Sequence, residues 1–493
     1  MVDISTFLSY NISEGDGYMK IDIRYTTKPM KMTQRVAEVA ECFGLGVDET
    51  IEHVILDNYD FNEDFDVCYI TGTSGSGKSS LLRELKKYYG VEDIEFNMDS
   101  DLAIVDLVGD DLNEALNLLS IVGLGEAKLF TKSPKVLSDG QKYRYQLACM
   151  LYRKQSVLCI DEFTSLLDRT TASVVAYNMQ KCCRRNGVKL IVATAHNDLE
   201  KFLNPSTVIN FGNDGDEVET NYWEVDTTYN PFEEDLKIEK AESEDFKKLI
   251  QYHYKNIKSV PGTKAMFKLT YKDRLVGIAV YGCTNRMLSG RNGYFNKFYM
   301  TDKGYPRMDM VNKDFVLGTR FVVAPQFRGC GFGSYLVKNT VNQFDTPFVE
   351  LISVMSNYNM FAQNGGFIDC GINESKKTAD SKRRIVELLE KYGYSYDFLG
   401  SLEYCQEIID NIPEKEVRKA FYPSIRSGLF IRKGLDLDKG EIDALELEPS
   451  LLQICKLGTT RYLLYVNEDK CEQCPTCGHW HSKEYSCHFC TKE

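Results

Sequence analysis

Apolar residues follow two different spacings along this chain, and the change from one to the other outlines its elements. Met32 to Phe43 alternates apolar and polar residues at helical spacing, which predicts an amphipathic helix. Phe61 to Phe65 leads into a first strand, residues 66–71 (Asp-Val-Cys-Tyr-Ile-Thr). Val157–Ile160 and Lys189–Thr194 are similar short apolar runs, so all three predict buried strands. Helical spacing returns from Leu81 and again after Leu137-Ser-Asp-Gly-Gln141. Farther along, Glu242–Ile257 predicts a helix and Ala265–Tyr271 with Leu275–Tyr281 two strands. Phe321–Val323 predicts a strand with an amphipathic helix behind it, and Phe348–Phe367 another strand and helix. Lys382–Lys391 and Glu403–Ile412 read as helices within 373–465, a stretch that suggests no chemistry. Residues 213–235 are acidic and turn-rich, which predicts a linker.

Composition narrows the class. A chain of 493 residues with 43% hydrophobic content supports several packed domains. No apolar run reaches the length of a membrane span, and the first residues lack a basic stretch followed by an apolar one. The net charge of −13 argues against a protein that coats nucleic acid through general basicity, while leaving room for a local basic surface. Five of the 16 cysteines fall at or after Cys471, and the others are scattered, which fits reduced thiols in the cytoplasm.

The chemistry is concentrated in three places. Gly72-Thr73-Ser74-Gly75-Ser76-Gly77-Lys78-Ser79, followed by Ser80, is a phosphate loop. Its glycines let backbone N–H groups curl around phosphate oxygens, Lys78 reaches the β- and γ-phosphates of ATP, and Ser79 offers a hydroxyl to Mg2+. Asp161, at a strand end, would hold magnesium as well, and Glu162 would polarise the attacking water as general base. Arg328-Gly329-Cys330-Gly331-Phe332-Gly333 follows the strand Phe321, Val322, Val323, and its glycines also expose N–H groups ahead of a helix. Near the end, Cys474-x-x-Cys477 and Cys487-x-x-Cys490 stand nine residues apart, the spacing of a four-cysteine Zn2+ ribbon. Cys471, His479, His481 and His488 are alternative ligands, and the ribbon's role is either structural or contact with nucleic acid.

The phosphate loop, Leu137–Gln141, Asp161-Glu162 and Ser165–Asp168 together resemble the nucleotide-binding domain of ABC-type ATPases. The resemblance implies that Ser138, Gly140, Gln141 and Asp168 belong to the nucleotide site, that His196 contacts the γ-phosphate, and that Ser138 and Gly140 act in trans, across a homodimer or on a partner with a similar domain. The family's glutamine between loop and signature is missing, since residues 81–136 contain none; Asp106 is the stand-in considered. Tyr59 is the candidate for stacking on the nucleotide, against a structural role for the same ring. Arg320–Thr340 with Phe348–Phe367 resembles the acyl-CoA loop and following segment of GNAT acetyltransferases. Helix, His253, strand pair, loop and Val349-Glu350 further resemble ABC ATPases fused to a transferase similar to phage Mom-type DNA-modifying enzymes. That implies acetyl-CoA or another acyl-CoA as cofactor and His253 and Glu350 at the active site. The family's general-acid tyrosine is replaced by Ala362, which leaves Tyr358 as a candidate.

The expected fold is α/β and multidomain: an ATPase lobe at 1–65, ATPase core at 66–212, linker at 213–235, GNAT-like acyltransferase domain at 236–372, a helical or mixed region at 373–465, and a zinc ribbon at 466–493 that behaves as a separate unit. The expected activity is ATP-coupled N-acyl transfer to a nucleic-acid base, DNA before RNA. A protein or small-molecule acetyltransferase and a non-catalytic nucleic-acid clamp are the alternatives.

Overall fold

The computed structural model describes all residues except 1–5, 8–9, 12–17, 28–31, 45–50, 213–217, 254–259, 433–444, 457, 489 and 491–493. A small antiparallel sheet comes first, with β1 (Thr6–Phe7), β2 (Tyr10–Asn11), β3 (Tyr18–Thr27) and β4 (Ile51–Asn62), the other three pairing with β3. Met19, Ile21 and Ile23 alternate along β3, so one face of the sheet is apolar. That face packs on Cys68, Ile70 and Leu81. Between β3 and β4 runs the helix Gln34–Phe43, started by Thr33, whose hydroxyl accepts from the Val36 N–H, and stopped at Gly44 in the left-handed conformation.

The second sheet holds β5 (Val67–Gly72), β6 (Val157–Ile160), β7 (Lys189–Ala193), β8 (Thr207–Phe211) and β9 (Val218–Tyr222), in the order β6-β7-β5-β8-β9. β5 to β8 are parallel and buried on both faces, which is why they read as continuous apolar runs. β9 corrects the expected linker. It pairs antiparallel with β8 over its whole length, and its Val-Glu-Thr-Asn-Tyr sequence is polar because an edge strand is half in water.

The third sheet contains β10 (Leu236–Lys240), β11 (Thr263–Tyr271), β12 (Arg274–Gly282), β13 (Phe315–Val323), β14 (Phe348–Ser353), β15 (Ile368–Ile372) and β16 (Arg461–Val466), in the order β10-β11-β12-β13-β14-β16-β15. Only β13 and β14 pair in parallel. β16 lies between β14 and β15, so the sheet continues past residue 372, where a boundary was expected. The stretch from 373 to 460 is an excursion between two neighbouring strands. It builds a core of its own from Ile385, Leu389, Ile408, Phe421 and Leu452. A hairpin, β17 (Cys471–Gln473) and β18 (Trp480–Ser482), follows β16 directly. Among the described residues no helix is long and apolar enough to cross a membrane.

The second and third sheets share one buried core. Phe232, from the segment read as a linker, is fully buried between Tyr177 and Phe202 on one side and Tyr271 and Phe332 on the other, with ring centroids 5.1–5.6 Å away. Edge-to-face aromatic contacts of this kind add about 0.5–1.5 kcal/mol each beyond simple burial.

Candidate nucleotide site, glycine loop and cysteine cluster

The phosphate loop leaves β5 at Gly72, whose φ is 140° and where a Cβ would stand 2.4 Å from the Phe211 carbonyl oxygen. Gly75 and Gly77 are also left-handed, and a Cβ at Gly77 would meet Ile55 of the N-terminal sheet. The helix Lys78–Tyr88 then begins. Lys78 is 8% exposed and donates to the Gly72 and Thr73 carbonyls at 2.9 and 2.5 Å. Burial holds its pKa below the usual lysine range, and Asp161 opposes that shift. Ser79 Oγ lies 3.1 Å from Asp161 Oδ1, so a hydroxyl and a carboxylate from different elements converge. Thr73 and Ser74 are exposed, Ser80 is half-buried, and the buried Ser76 Oγ has no hydrogen-bond partner among the described residues.

Glu162 follows Asp161 with φ 46°, and Thr164 has φ 62°. Left-handed backbone at two non-glycine residues is strained, and such strain persists only where surroundings impose it. Here the buried Phe163 imposes it, its N–H bonded to the Ala193 carbonyl at 2.9 Å. The Glu162 side chain is left exposed. His196 is half-buried, and its carbonyl accepts from the Tyr69 hydroxyl.

Ser138 caps the helix Asp139–Tyr152, and Gln141 completes a capping box by accepting from the Ser138 N–H at 3.1 Å. Asp168 caps the helix Arg169–Arg185 through the Thr170 and Thr171 N–H groups and the Thr171 hydroxyl. Gln141 and Asp168, expected at the nucleotide, therefore have local partners. Ser138 and Gly140 stand at the open start of their helix. Asp106 is exposed, and Tyr59 bonds Thr220 at 2.6 Å, a structural contact.

The glycine loop is reached from β13. The parallel register of β13 with β14 ends at Gly318↔Leu351, next to a bulge opposite Val280/Tyr281. Beyond it Thr319–Val323 pairs, among the described residues, with β12 alone, so the two parallel strands part. Gly329 and Gly331 have φ 91° and 85°, and the helix Phe332–Thr340 follows, with Gly333 in its first turn. Cys330 and Phe332 are buried. Arg328 was expected to face a phosphate. Instead its guanidinium turns inward, donating to the Gly125 carbonyl, to Val323 at 3.2 Å and to Tyr252 at 3.3 Å. Asn178, on the helix Arg169–Arg185, donates to the Ile121 and Arg328 carbonyls at 3.0 and 3.2 Å. A Cβ at Gly329 would collide with that Asn178 amide.

The expected catalytic residues fall in three different surroundings. His253 is half-buried beside Tyr252, whose carbonyl Arg328 holds; Tyr254 and Lys255 lie outside the described residues. Tyr358 is 39% exposed at the rim of a cavity. Glu350 is fully buried, and both of its oxygens are occupied: Arg291 donates to each at 2.8 Å, Tyr462 at 2.6 Å to one, and Thr284 to the other. A carboxylate so enclosed has no free face for a substrate, which corrects the catalytic expectation. The buried Arg291 also packs 4.9 Å over the Phe315 ring. Sequence reasoning missed these partners, which stand 59 and 112 positions from Glu350, with no local signal to link them.

The sulfurs of Cys474, Cys477, Cys487 and Cys490 all lie within 4.8 Å of one another, a cluster able to hold a metal ion. Backbone N–H groups of Cys477 and Thr476 lower the Cys474 pKa to about 6, favouring the thiolate that a metal needs. The alternative ligands have other neighbours. Cys471 is buried against the Pro347 carbonyl, His481 Nδ1 lies 3.2 Å from the Ser482 carbonyl, His479 packs on Tyr294, and His488 stacks on Phe298 at 3.5 Å. Burial and His481 push the His488 pKa down to about 4, so it stays neutral. The tail is attached to the third sheet's domain through Phe298–His488 and an ion pair between Lys313 and Glu484, which corrects the expectation of a separate unit.

No family model matches the chain. It is similar to the ATP-dependent permease MDL1 of Candida albicans, 27% identical over 285 residues, covering 44% of this chain and 41% of that protein. It is also similar to the energy-coupling factor transporter ATP-binding protein EcfA1 of Leuconostoc mesenteroides, 32% identical over 102 residues, covering 21% and 36%. The chain thus spans about two fifths of the length of these curated relatives. The dimeric structure of MJ0796, a bacterial ABC transporter cassette, overlaps 35% of this chain and 91% of its own at 19% identity, with a TM-score of 0.26, too low to bear on the fold. The phosphate loop and the similarity to these curated relatives together support an ABC-type ATPase domain within the chain.

Proposed function

We propose that this chain is a cytoplasmic ATP hydrolase joined to an acyl-CoA-dependent N-acyltransferase whose acceptor is an amino group of a nucleic-acid base, DNA before RNA. In the ATPase, Lys78, Ser79 and Asp161 hold ATP and Mg2+, and Glu162 draws the proton from the attacking water. Ser138 and Gly140, at an open helix start, suit the nucleotide of a second copy, hence a homodimer.

The observation that carries the transferase half is the parting of β13 from β14 beside the glycine loop. Thr319–Val323 keeps one backbone edge unpaired, against which the amide groups of an extended acyl-CoA arm can hydrogen-bond. Gly329, Gly331 and the N-terminus of the following helix offer N–H groups to its diphosphate. His253, close to this loop, is the candidate base, and Tyr358 the candidate acid. Calorimetry with acetyl-CoA tests the site. The parent should bind, and Gly331→Ala should weaken binding by about tenfold, because a Cβ intrudes where backbone meets diphosphate and the residue has φ 85°. Equal affinities would refute the site.

A second reading, a nucleic-acid clamp without transfer chemistry, is favoured by the inward turn of Arg328, the enclosure of Glu350 and Ala362 at the acid position. A parent that binds no acyl-CoA, together with unmodified bases by mass spectrometry in expressing cells, would establish that reading.

The tail fits zinc. Tetrahedral Zn–S bonds of about 2.3 Å place sulfurs about 3.8 Å apart. Cys474–Cys490 and Cys477–Cys487 are at 3.6 and 3.3 Å. Metal analysis of chelator-free protein should find about one zinc per chain, absent after Cys474→Ser with Cys477→Ser. Because the tail packs on the third sheet's domain, the double variant should also melt earlier. Zinc retained in the variant would overturn the ligand set.

A further inference from the structure

A cavity of about 570 Å³ lies between the helical excursion and the end of β14, with Tyr358, Lys382, Glu390, Tyr394, Tyr396 and Asp397 in its walls. Its position follows from the strands. Tyr358 comes one short turn, Met355–Asn357, after β14. Gly458 and Thr459, on the opposite wall, lead into β16, and Asn357 joins the two sides by donating to the Thr459 carbonyl at 2.8 Å. β14 still pairs with β16 at Ile352 and Ser353, while its pairing with β13 has already ended at Leu351. The cavity is therefore built at the end of β14 where the two parallel strands part.

Its charges are arranged unevenly. Lys456 is committed, donating to Asp397 at 2.9 Å and to the Tyr396 carbonyl at 3.2 Å. Lys382 sits 5.3 Å over the Tyr396 ring, and neither it nor Glu390 forms an ion pair among the described residues. Both belong to the helix Lys376–Lys391, two turns apart. A lysine held over a tyrosine ring and a carboxylate, both without an ion pair among the described residues, thus border a space the size of a small-molecule site. That set matches a flat heterocycle bearing an amine and a phosphate.

We propose that this cavity receives the base of a single nucleotide unit, with its ring against the tyrosines, its exocyclic amine donating to Glu390 and its phosphate beside Lys382. The excursion between β15 and β16 then serves as the acceptor-binding module. This names the acceptor site of the transfer reaction above and rests on that reading.

The test is fluorescence anisotropy of the full chain with a labelled single-stranded DNA at fixed salt, free dAMP as competitor, and acetyl-CoA calorimetry alongside. Lys382→Glu should weaken strand binding by about tenfold or more, since a base–aromatic contact and its flanking charge act together. Glu390→Gln should weaken adenine- and cytosine-containing strands more than oligothymidylate, which has no exocyclic amine. Neither substitution touches the glycine loop, so acetyl-CoA affinity and melting temperature should stay unchanged. Competition by dAMP at the strand's own affinity would identify the ligand as a free nucleotide. Equal strand affinity in the parent and both variants, or no strand or dAMP binding by the parent, would overturn the proposal. If the variants lose strand binding while the parent fails to bind acetyl-CoA, the cavity stands and the transferase reading falls.

Discussion

Glu162→Gln should lower ATP hydrolysis by about 10²- to 10⁴-fold, the usual contribution of a positioned general base. ATP binding should survive, because Lys78, Ser79 and Asp161 are untouched and the amide is nearly isosteric. The backbone reason is specific to this chain. Phe163 is buried and tied to Ala193, so Glu162 is held in a left-handed turn that keeps its carboxylate outward. The glutamine inherits that position but cannot accept the proton. With hydrolysis blocked, ATP should hold two copies together through Ser138 and Gly140. Light scattering after gel filtration should then report a dimer in ATP and a monomer without it. An ATP-loaded monomer would sink the sandwich.

Glu350→Ala should destabilise the fold by about 3–5 kcal/mol, the cost of stranding one member of a buried ion pair. It leaves the Tyr462 and Thr284 hydroxyls without their carboxylate acceptor and the enclosed Arg291 guanidinium without a counter-charge, with only the Asn285 carbonyl and the Thr284 hydroxyl still accepting from it. Replacing both partners, as Arg291→Met with Glu350→Leu, should recover much of the loss, since an apolar pair of similar volume leaves no charge behind. Thermal denaturation of the single and double variants checks this. A Glu350→Ala protein that melts like the parent but loses transferase activity would restore the catalytic expectation.

What the sequence disclosed was local. The phosphate loop, the strands Val157–Ile160 and Lys189–Ala193 and the cysteine knuckles each depend on residues a few positions apart, so spacing alone exposes them. What it hid was long-range. Glu350 looked available because its partners come from β16 and from the Ser289–Tyr294 helix, and Gly290 makes room for Tyr462 only in three dimensions. Arg328 looked like a phosphate ligand because nothing near it in sequence announces Gly125 or Asn178. β9 looked like a linker because an edge strand needs no apolar alternation. β16 was passed over because it joins its sheet only after a long excursion.

Phe232 has one more consequence. Its ring touches Tyr177 of the helix Arg169–Arg185, Tyr271 of β11 and Phe332 of the helix Phe332–Thr340, and residues of both large sheets join them in one buried cluster. No cut between the halves avoids exposing that hub, so a fragment ending near residue 230 or starting there loses part of its own interior. The ATP-binding half and the half with the glycine loop should therefore melt together, in one transition rather than two. A change that loosens the packing around Phe232 should therefore weaken both halves at once.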